Sequence, residues 1–415
     1  MKICIFTETY FPVMGGGETQ AQLLAEGLIA SGHSVIILTR RSDKSLKKIE
    51  QYGNVTVYRL PPSGGGQLKK WGLVFSSLPC LIHLRQEYDL IFISGYRIVG
   101  MSAVLVSRWL RKGCVLKADS QGEMSGEFFD AGLKKLGITH KKFPFRAFLS
   151  LRNYILKKAD AFSAISPEIA GEFVLSGIPT RQVHNLPNAV DTTRFFPVPS
   201  AQKALLREKL GVSPSTKVAV YTGRLVSYKG LPLLLRVWKE LSRKVQDILL
   251  LLVGTGGLDI HNCESELKAY VQKNILGPYV RFTGSVQNVP EYLQASDIFA
   301  FPTENDAFPS SLIEAMTCRL PVVTTPVGAI KTIVTDGENG LFVQPGDFQS
   351  LYAALENLLN DPALALRLGE GGWKTVQENY SAEIVTKKYI NLFQSVIFFI
   401  NTKSIKEEHK GHEDS

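Results

Sequence analysis

The sequence lacks any apolar stretch long enough to cross a bilayer. Its longest apolar runs, at residues 248–254 and 395–400, fall well short of the roughly 20 residues that a membrane-spanning helix needs. It also lacks a secretory signal, because the strand-like apolar segment at 1–11 stops at Pro12. The five cysteines form no CxxC pair and no metal-ligand spacing, which argues against a disulfide framework. We therefore expect a cytoplasmic protein in a reducing compartment.

Complete dinucleotide-binding motifs are absent as well. The glycine loop at 15–17 fails the pattern G-x-G-x-x-G because Gln20 stands in the place of the last glycine, and the loop has no P-loop lysine. The glycines at 254–256 fail likewise, because Asp259 occupies the third glycine's position. A dehydrogenase function loses its main support.

What the sequence does contain is enough chain for two domains. Its 415 residues are 45% hydrophobic and 20% charged, as in globular proteins with sizeable cores. Apolar strand-like runs alternate with helix-length segments, which predicts α/β domains with parallel sheets. The alternation breaks at Pro197 and Pro199 and then begins again. We therefore predict two doubly wound domains, at 1–195 and 196–380, and a polar, disordered tail at 401–415.

The net charge of +9 lies in the first half of the chain. Residues 1–195 hold 25 Lys and Arg against 15 Asp and Glu, whereas residues 196–415 hold 22 against 23. The densest segment, 133–158, has eight basic residues, no acid, and interleaved aromatic and aliphatic residues. It could lie on an anionic membrane surface, where each cation contributes about 1 kcal/mol. It could equally be a solvated helix that covers the core.

Two loops after predicted strands carry groups that suit an anion, and in open parallel sheets such loops form the ligand site. Gly16 and Gly17 would let an anionic group approach backbone N–H groups at the start of a helix. In the loop 222–230, Arg224 and Lys229 could grip a diphosphate from two sides and neutralise a leaving nucleotide. The alternative for this second loop is an ordinary solvated surface.

A third loop, TENDAFPSSLIEAM at 303–316, combines acids with a potential helix start. If a helix begins near Pro309, its first N–H groups offer an anion site. Glu314 would project from the same helix face, where it would repel a phosphate but could accept hydrogen bonds from ribose hydroxyls. Asp306 could likewise accept hydrogen bonds from a sugar. The N–H groups concerned are those of Ser310, Ser311 and Leu312.

Taken together, these stretches resemble the retaining glycosyltransferases of family 4, which share the GT-B fold with glycogen synthase. The resemblance runs to about residue 395. It rests above all on DAFPSSLIEAMTCRLPVVTTPVGA (306–329), supported by GRLVSYKG (223–230) and LPNAVDTTRFFP (186–197). It implies two Rossmann-like domains that face each other across a cleft, with a last helix, around 381–398, that returns to the first domain.

The resemblance also implies roles for individual residues. Arg224 and Lys229 would bind the diphosphate, Glu314 the ribose, and Asp306 the donor sugar. Further donor contacts would come from glycines and from the amides around the phenylalanine turn. This second set is Gly16, Gly17, Gly254, Phe308, Pro309, Ser310, Ser311 and Leu312.

Two positions depart from the family pattern. The first acid of the acid-x7-acid motif is usually glutamate, and here it is Asp306. Members commonly carry a histidine after the strand equivalent to 114–118, and here the segment reads KADSQGEMSG. Asp119, Gln121 or Glu123 could line that part of the cleft, and we favour Asp119 as the catalytic residue there.

The implied reaction retains the anomeric configuration, with the leaving diphosphate accepting the acceptor's proton. No D-x-D sequence occurs, so we expect neither a metal nor a cofactor beyond the nucleotide sugar itself. The predicted function is hexose transfer from a nucleoside-diphosphate sugar to a saccharide or lipid-linked acceptor, in cell-surface polysaccharide or glycolipid synthesis, with no nucleic-acid partner. The alternatives are a non-catalytic subunit that binds the nucleotide sugar for a partner transferase, and a sugar-nucleotide epimerase of the same fold.

Overall fold

The chain divides into two compact units. The first combines Met1–Asn188 with Ala382–Ser415, and the second is Ala189–Ser381. The division falls seven residues before the boundary at 195/196 that the sequence predicts. The structure is a computed structural model that describes residues 1–13, 15–64, 67–133, 137 and 139–413.

The first unit is built on an eight-stranded sheet. Its strands are β1 (Lys2–Thr7), β2 (Ser34–Arg40), β3 (Ile49–Tyr52), β4 (Val55–Leu60), β5 (Leu90–Ser94), β6 (Gly113–Ala118), β7 (Ala161–Ala164) and β8 (Val183–Asn185). Their order is β3-β4-β2-β1-β5-β6-β7-β8, and only the edge pair β3 and β4 is antiparallel. The central strands are apolar and buried along nearly their whole length, because helices cover both faces of such a sheet.

The helices of the first unit lie between these strands. They are α1 (Gly16–Ala30), α2 (Gln67–His83), α3 (Gly100–Leu110), α4 (Asp130–Leu133), α5 (Phe145–Leu156) and α6 (Pro167–Leu175). The start of α6 shows why the sequence places a helix there: Ser166 accepts a hydrogen bond from the Ile169 N–H at 3.3 Å, and Pro167 takes the first helical position.

The second unit repeats the scheme with a six-stranded, wholly parallel sheet. Its strands are β9 (Lys217–Thr222), β10 (Ile248–Val253), β11 (Val280–Gly284), β12 (Ile298–Phe301), β13 (Val322–Thr324) and β14 (Leu341–Phe342), in the order β11-β10-β9-β12-β13-β14. Its helices are α7 (Ser200–Lys209), α8 (Leu231–Lys244), α9 (Glu264–Lys273), α10 (Val289–Gln294), α11 (Ser310–Thr317), α12 (Ile330–Ile333), α13 (Phe348–Asn360) and α14 (Pro362–Asn379). The predicted α/β class with doubly wound parallel sheets is confirmed in both units.

The last helix, α15 (Ala382–Glu413), packs on the first unit. The Tyr389 hydroxyl lies 3.1 Å from the Ser163 hydroxyl, and the Phe393 ring is 5.5 Å from that of Phe92. The helix corrects the predicted disordered tail: residues 401–413 are helical, because this stretch is rich in Lys and Glu, contains no proline, and continues an anchored helix. Residues 414–415 of the predicted tail lie outside the described residues.

None of the helices in the described part of the chain is both long and apolar enough to span a lipid bilayer.

Strand order places the predicted site loops side by side within each unit. In the first unit β1, β5 and β6 are neighbours, so the loops that follow them leave one edge of the sheet together. In the second unit β10, β9 and β12 are neighbours in the same way. Each unit therefore presents one cluster of three loops.

Candidate functional site

The loops after β9 and β12 are joined by a mostly buried ion pair. Lys229, on the short 3-10 turn Ser227–Lys229, has its Nζ 2.5 Å from Asp306 Oδ2, and the two side chains are only 11% and 16% exposed. The same ammonium donates to the Asn305 carbonyl at 3.2 Å. Burial lowers the pKa of Lys229, and the Asp306 carboxylate opposes that shift. The pair thus brings together two residues that the sequence predicts for diphosphate and sugar binding.

Backbone contacts hold these two loops in register. The Glu304 N–H donates to the Tyr228 carbonyl at 2.8 Å. A Cβ at Gly230 would lie 1.9 Å from the Pro302 carbonyl oxygen, and the residue has a φ of +71°, so only glycine fits there. The glycine that closes the GRLVSYKG motif therefore has a packing function at the site.

Arg224 lies in the same loop but is 62% exposed. Its Nη1 pairs with Asp259 in the loop after β10, and its Nη2 donates to the Tyr228 hydroxyl at 3.1 Å. The Arg224 charge also acts on Lys229, so the two predicted cations share one site. Neither Asp259 nor Tyr228 was predicted as a site residue.

Gly254, which the sequence predicts to contact the nucleotide-sugar donor, brings two loops close together. Its N–H donates to the Gly284 carbonyl at 3.0 Å, and a Cβ there would lie 1.9 Å from the Gly223 carbonyl oxygen. Its φ of +138° likewise excludes other residues. The close approach sets the loop that carries Asp259 beside the loop that carries Arg224.

The predicted amide array at the start of α11 is smaller than the sequence implies. The helix begins at Ser310, with Pro309 as its N-cap. The Phe308 N–H donates to Asp306 Oδ1 at 3.1 Å, and the Leu312 N–H donates to the Pro309 carbonyl at 3.1 Å. Pro309 has no N–H, so the amides still unpaired among the described residues here are those of Ser310 and Ser311.

Glu314 follows on α11 and is partly exposed. Burial of its carboxyl raises its pKa to about 7, and the charge of Arg194 opposes that shift. In the part of the chain that the structure describes, the carboxyl makes no hydrogen bond or ion pair. It is therefore a poorly solvated acid that is close to half protonated at neutral pH and is available to hydroxyl groups.

In the first unit the glycine loop meets Asp119. A Cβ at Gly17 would lie 3.6 Å from Asp119 Oδ2, whereas Gly16 faces open space. Asp119 Oδ1 lies 2.9 Å from the Nζ of Lys117, which is 4% exposed, at the end of β6. Burial has the largest single effect and lowers the pKa of Lys117, but the surrounding acidic groups, led by the Asp119 carboxylate, together raise the pKa above its ordinary value.

The other two candidates for the missing histidine's place are separated by the structure. Gln121 is exposed, whereas Glu123 is fully buried and pairs with Arg97 Nε at 3.0 Å. Burial raises the pKa of Glu123 to about 7. Arg152 lies completely buried beside it and donates to the Glu123 and Met124 carbonyls at 2.7 and 3.0 Å. Glu123 is thus part of the packing that holds this loop, which leaves Asp119 and Gln121 at its surface.

The basic segment 133–158 presents several of its cations and apolar groups to solvent. Lys141, Lys142 and Arg146 are exposed, and Phe143 is 84% exposed. Residues 134–136 and 138 of this segment lie outside the described residues. Arg152, counted among the basic residues of the segment, is buried, so the exposed basic surface is smaller than the sequence suggests.

Two family models match the chain, one for each unit. Residues 202–375 match the model described as "Glycosyl transferases group 1", and residues 14–194 match "Glycosyltransferase Family 4". The chain is similar to the N-acetyl-alpha-D-glucosaminyl L-malate synthase of Bacillus anthracis, at 22% identity over 94% of this chain and 96% of that protein. It is 30% identical to the capsular polysaccharide biosynthesis glycosyltransferase CapM of Staphylococcus aureus over 43% of this chain, and it spans less than half, 46%, of CapM.

Solved structures match over nearly the whole chain. The sucrose-phosphate synthase of Thermosynechococcus elongatus has a TM-score of 0.76 at 22% identity, covering 95% of this chain and 99% of that one. Anabaena HepE, in complex with UDP and glucose, has a TM-score of 0.73 at 20% identity, covering 95% and 100%. At these identities the likeness shows the fold, and it confirms the predicted GT-B architecture. The comparisons give no support to the alternative of a non-catalytic subunit.

The raised pKa of Glu314 predicts how Glu314→Gln changes stability with pH. The native state holds the proton up to about pH 7, whereas the unfolded chain releases it near the ordinary value of 4.5. Because the native state binds the proton more tightly, the wild type loses stability relative to the variant as pH rises between these values. We expect no difference below pH 4.5 and a variant more stable by up to about 3 kcal/mol at pH 8.

Urea unfolding at a series of pH values measures this difference. Glu304→Gln, at an exposed acid in the neighbouring loop, is the matched control and should show no such trend. A Glu314→Gln difference that is constant with pH contradicts the prediction.

Proposed function

Because the chain belongs to the glycosyltransferases, group 1 in its second unit and family 4 in its first, we propose that it transfers a hexose from a nucleoside-diphosphate sugar to a saccharide or lipid-linked acceptor. The observation that carries this proposal is the clustering of Arg224, Lys229, Asp306 and two unpaired helix amides at one edge of the second sheet. The N-terminal end of a helix dipole, together with two cations, can bind a diphosphate, and the acids beside it can accept hydrogen bonds from sugar hydroxyls. The UDP named in the HepE complex supports this ligand class.

Each group then has a distinct task. Arg224, Lys229 and the Ser310 and Ser311 amides stabilise the charge that develops on the leaving diphosphate. Glu314, poorly solvated and close to half protonated at neutral pH, accepts hydrogen bonds from ribose hydroxyls and donates to them, and it repels the phosphates less than a fully ionised acid would. Asp306, held by Lys229 and the Phe308 N–H, presents its remaining lone pairs to the donor sugar.

In the first unit, Asp119 and the glycines of α1 are the groups that we propose to contact the substrates. Asp119 is fixed by Lys117 and lies beside Gly17, so its carboxylate can accept a hydrogen bond from a substrate hydroxyl. Cell-surface polysaccharide or glycolipid synthesis is the proposed pathway class, and the name of CapM supports it.

Transfer should depend on Arg224. Arg224→Gln removes a positive charge from the leaving group's surroundings, and kcat/KM should fall by roughly 100-fold. Because the side chain is exposed, the change should leave folding intact. The measurement is release of nucleoside diphosphate from a panel of UDP-, GDP- and ADP-sugars with saccharide and lipid-linked acceptors.

Arg243→Gln, which removes an equally exposed cation paired to Glu240 on α8, serves as the control. It should keep wild-type turnover. No release from any donor by the wild type, or equal turnover by Arg224→Gln, counts against the proposal.

The proposed transfer retains the donor's anomeric configuration and needs no metal. Its support is that Arg224 and Lys229 can supply, next to the diphosphate, the positive charge that other transferases take from a cation. Proton NMR of the product from an α-linked donor should show an α linkage, and excess EDTA should leave the rate unchanged. An inverted product, or activity that EDTA abolishes and Mg²⁺ restores, contradicts this part of the proposal.

A peripheral membrane contact through α5 and the segment before it is a second proposal. Exposed cations at Lys141, Lys142 and Arg146 flank the exposed Phe143 ring, a combination that suits an anionic lipid surface. The triple change of these three cations to Gln should weaken binding to anionic vesicles by about 1 kcal/mol per charge removed. Liposome flotation with and without anionic lipid measures the effect.

Three exposed cations of the second unit, changed to Gln together, provide the matched control: Arg236, Arg243 and Lys244. This variant should float like the wild type. Flotation that does not change with lipid charge or salt concentration would contradict the electrostatic explanation.

A further inference from the structure

Arg224 has a dedicated carboxylate partner that the diphosphate role does not require. Its Nη1 pairs with Asp259, which comes from a loop 35 residues further along the chain. The Arg224 side chain is 62% exposed, whereas that of Asp259 is 14% exposed. Because Arg224 is proposed to bind the diphosphate, the Asp259 carboxylate competes directly with the diphosphate for the guanidinium.

Asp259 sits on a rigid support. Its Oδ1 accepts the His261 N–H at 3.0 Å, and the His261 carbonyl accepts the Ser227 N–H at 2.9 Å. The Cys263 N–H donates to the Leu225 carbonyl at 3.0 Å. These bonds tie the loop of Asp259 to the loop of Arg224 on both sides, so the carboxylate stays in place while the long, exposed arginine side chain can turn away from it.

The second ion pair of the site is built differently. Lys229 and Asp306 are both mostly buried, and Asp306 also accepts the Phe308 N–H. Separating this pair would leave two charges poorly solvated, which is strongly unfavourable. In the pair of Arg224 and Asp259 the arginine side chain is 62% exposed, so water can solvate the guanidinium when the pair opens. The mostly buried Asp259 then keeps its hydrogen bond from the His261 N–H. Of the two proposed diphosphate ligands, Arg224 is therefore the one that can change partners.

We infer that Asp259 is a displaceable counter-ion of Arg224. The diphosphate displaces the Asp259 carboxylate from Arg224 on binding, and the carboxylate pairs with the guanidinium again as the nucleoside diphosphate leaves. This rests on the proposed function, because it takes the ligand to be a nucleoside diphosphate and its sugar. Two cations that held the diphosphate without competition would retain the product, which carries more negative charge than the donor. Asp259 is thus a positioning residue that lowers the affinity of the site for its product.

Calorimetric titration of UDP, GDP and ADP, each into the full-length chain, tests the inference. Asp259→Asn keeps the acceptor oxygen for the His261 N–H but removes the charge. We expect the nucleoside diphosphate that the wild type binds to bind about two- to fivefold more tightly to this variant, the range typical of an ion pair whose cation is exposed to solvent. Its affinity should also fall more steeply with added NaCl, because the site is more positive.

Two further variants separate the charge from the structure of the loop. Asp259→Glu keeps the carboxylate and should bind like the wild type, with the same salt dependence. Glu240→Gln removes a carboxylate from another exposed arginine pair, with Arg243 on α8, and should also bind like the wild type. A merely structural role of Asp259 would weaken binding in Asp259→Asn without steepening the salt dependence.

The outcomes distinguish this inference from the proposed function. A wild type that binds none of the three nucleotides overturns both. A wild type that binds one of them, with Asp259→Asn equal to it or weaker, overturns the counter-ion role and leaves the proposed transferase function standing.

Discussion

The buried pair of Lys229 and Asp306 is the interaction on which the geometry of the second unit's site depends. Parallel strand order places the loops after β9 and β12 side by side, but adjacency alone leaves loops free to vary. A mostly buried ammonium must have a carboxylate partner, because an isolated charge there would be far too costly. Asp306 also captures the Phe308 N–H, so the start of α11 is set by the same carboxylate. One ion pair thereby fixes a cation, an acid and a helix terminus relative to one another.

Around that pair the site balances its own charges. Arg224 and Lys229 are matched by Asp259 and Asp306, and Glu314 adds a carboxyl whose pKa burial raises to about 7. A fully ionised glutamate close to a diphosphate would oppose its binding. A glutamate that is about half protonated at neutral pH can form hydrogen bonds with hydroxyl groups and repels the diphosphate much less. Burial of Glu314 therefore explains how an acid can stand beside the proposed anion site, and it adds to the ribose role that the sequence suggests for this residue.

The sequence was sufficient to predict the parallel sheets and the loops that carry Arg224, Lys229 and Asp306, because each depends on local pattern and strand order. It did not reveal Asp259, which is 35 residues from Arg224 and appeared only as a residue that spoils a glycine motif. The sequence also did not predict that the Phe308 and Leu312 N–H groups donate hydrogen bonds within the turn, because these bonds depend on where α11 begins. Arg152 was counted as surface charge because its segment is basic, yet the carbonyls of a neighbouring loop bury it completely.

In the first unit, Asp119 is the residue that we propose for the place of the family's histidine. Asp119 is anchored by the buried Lys117 and lies close to Gly17 in the first turn of α1. A second anion at this helix start would meet the Asp119 carboxylate, so the edge favours neutral groups with hydroxyls over phosphates. An imidazole and a carboxylate can both accept a hydrogen bond from a hydroxyl. The carboxylate differs in carrying a negative charge, and the Lys117 ammonium lies 2.9 Å from Asp119 Oδ1. In the proposed site Lys117 therefore holds Asp119 in position, so the group that we propose for the histidine's place depends on two residues, one in β6 and one in the loop after it.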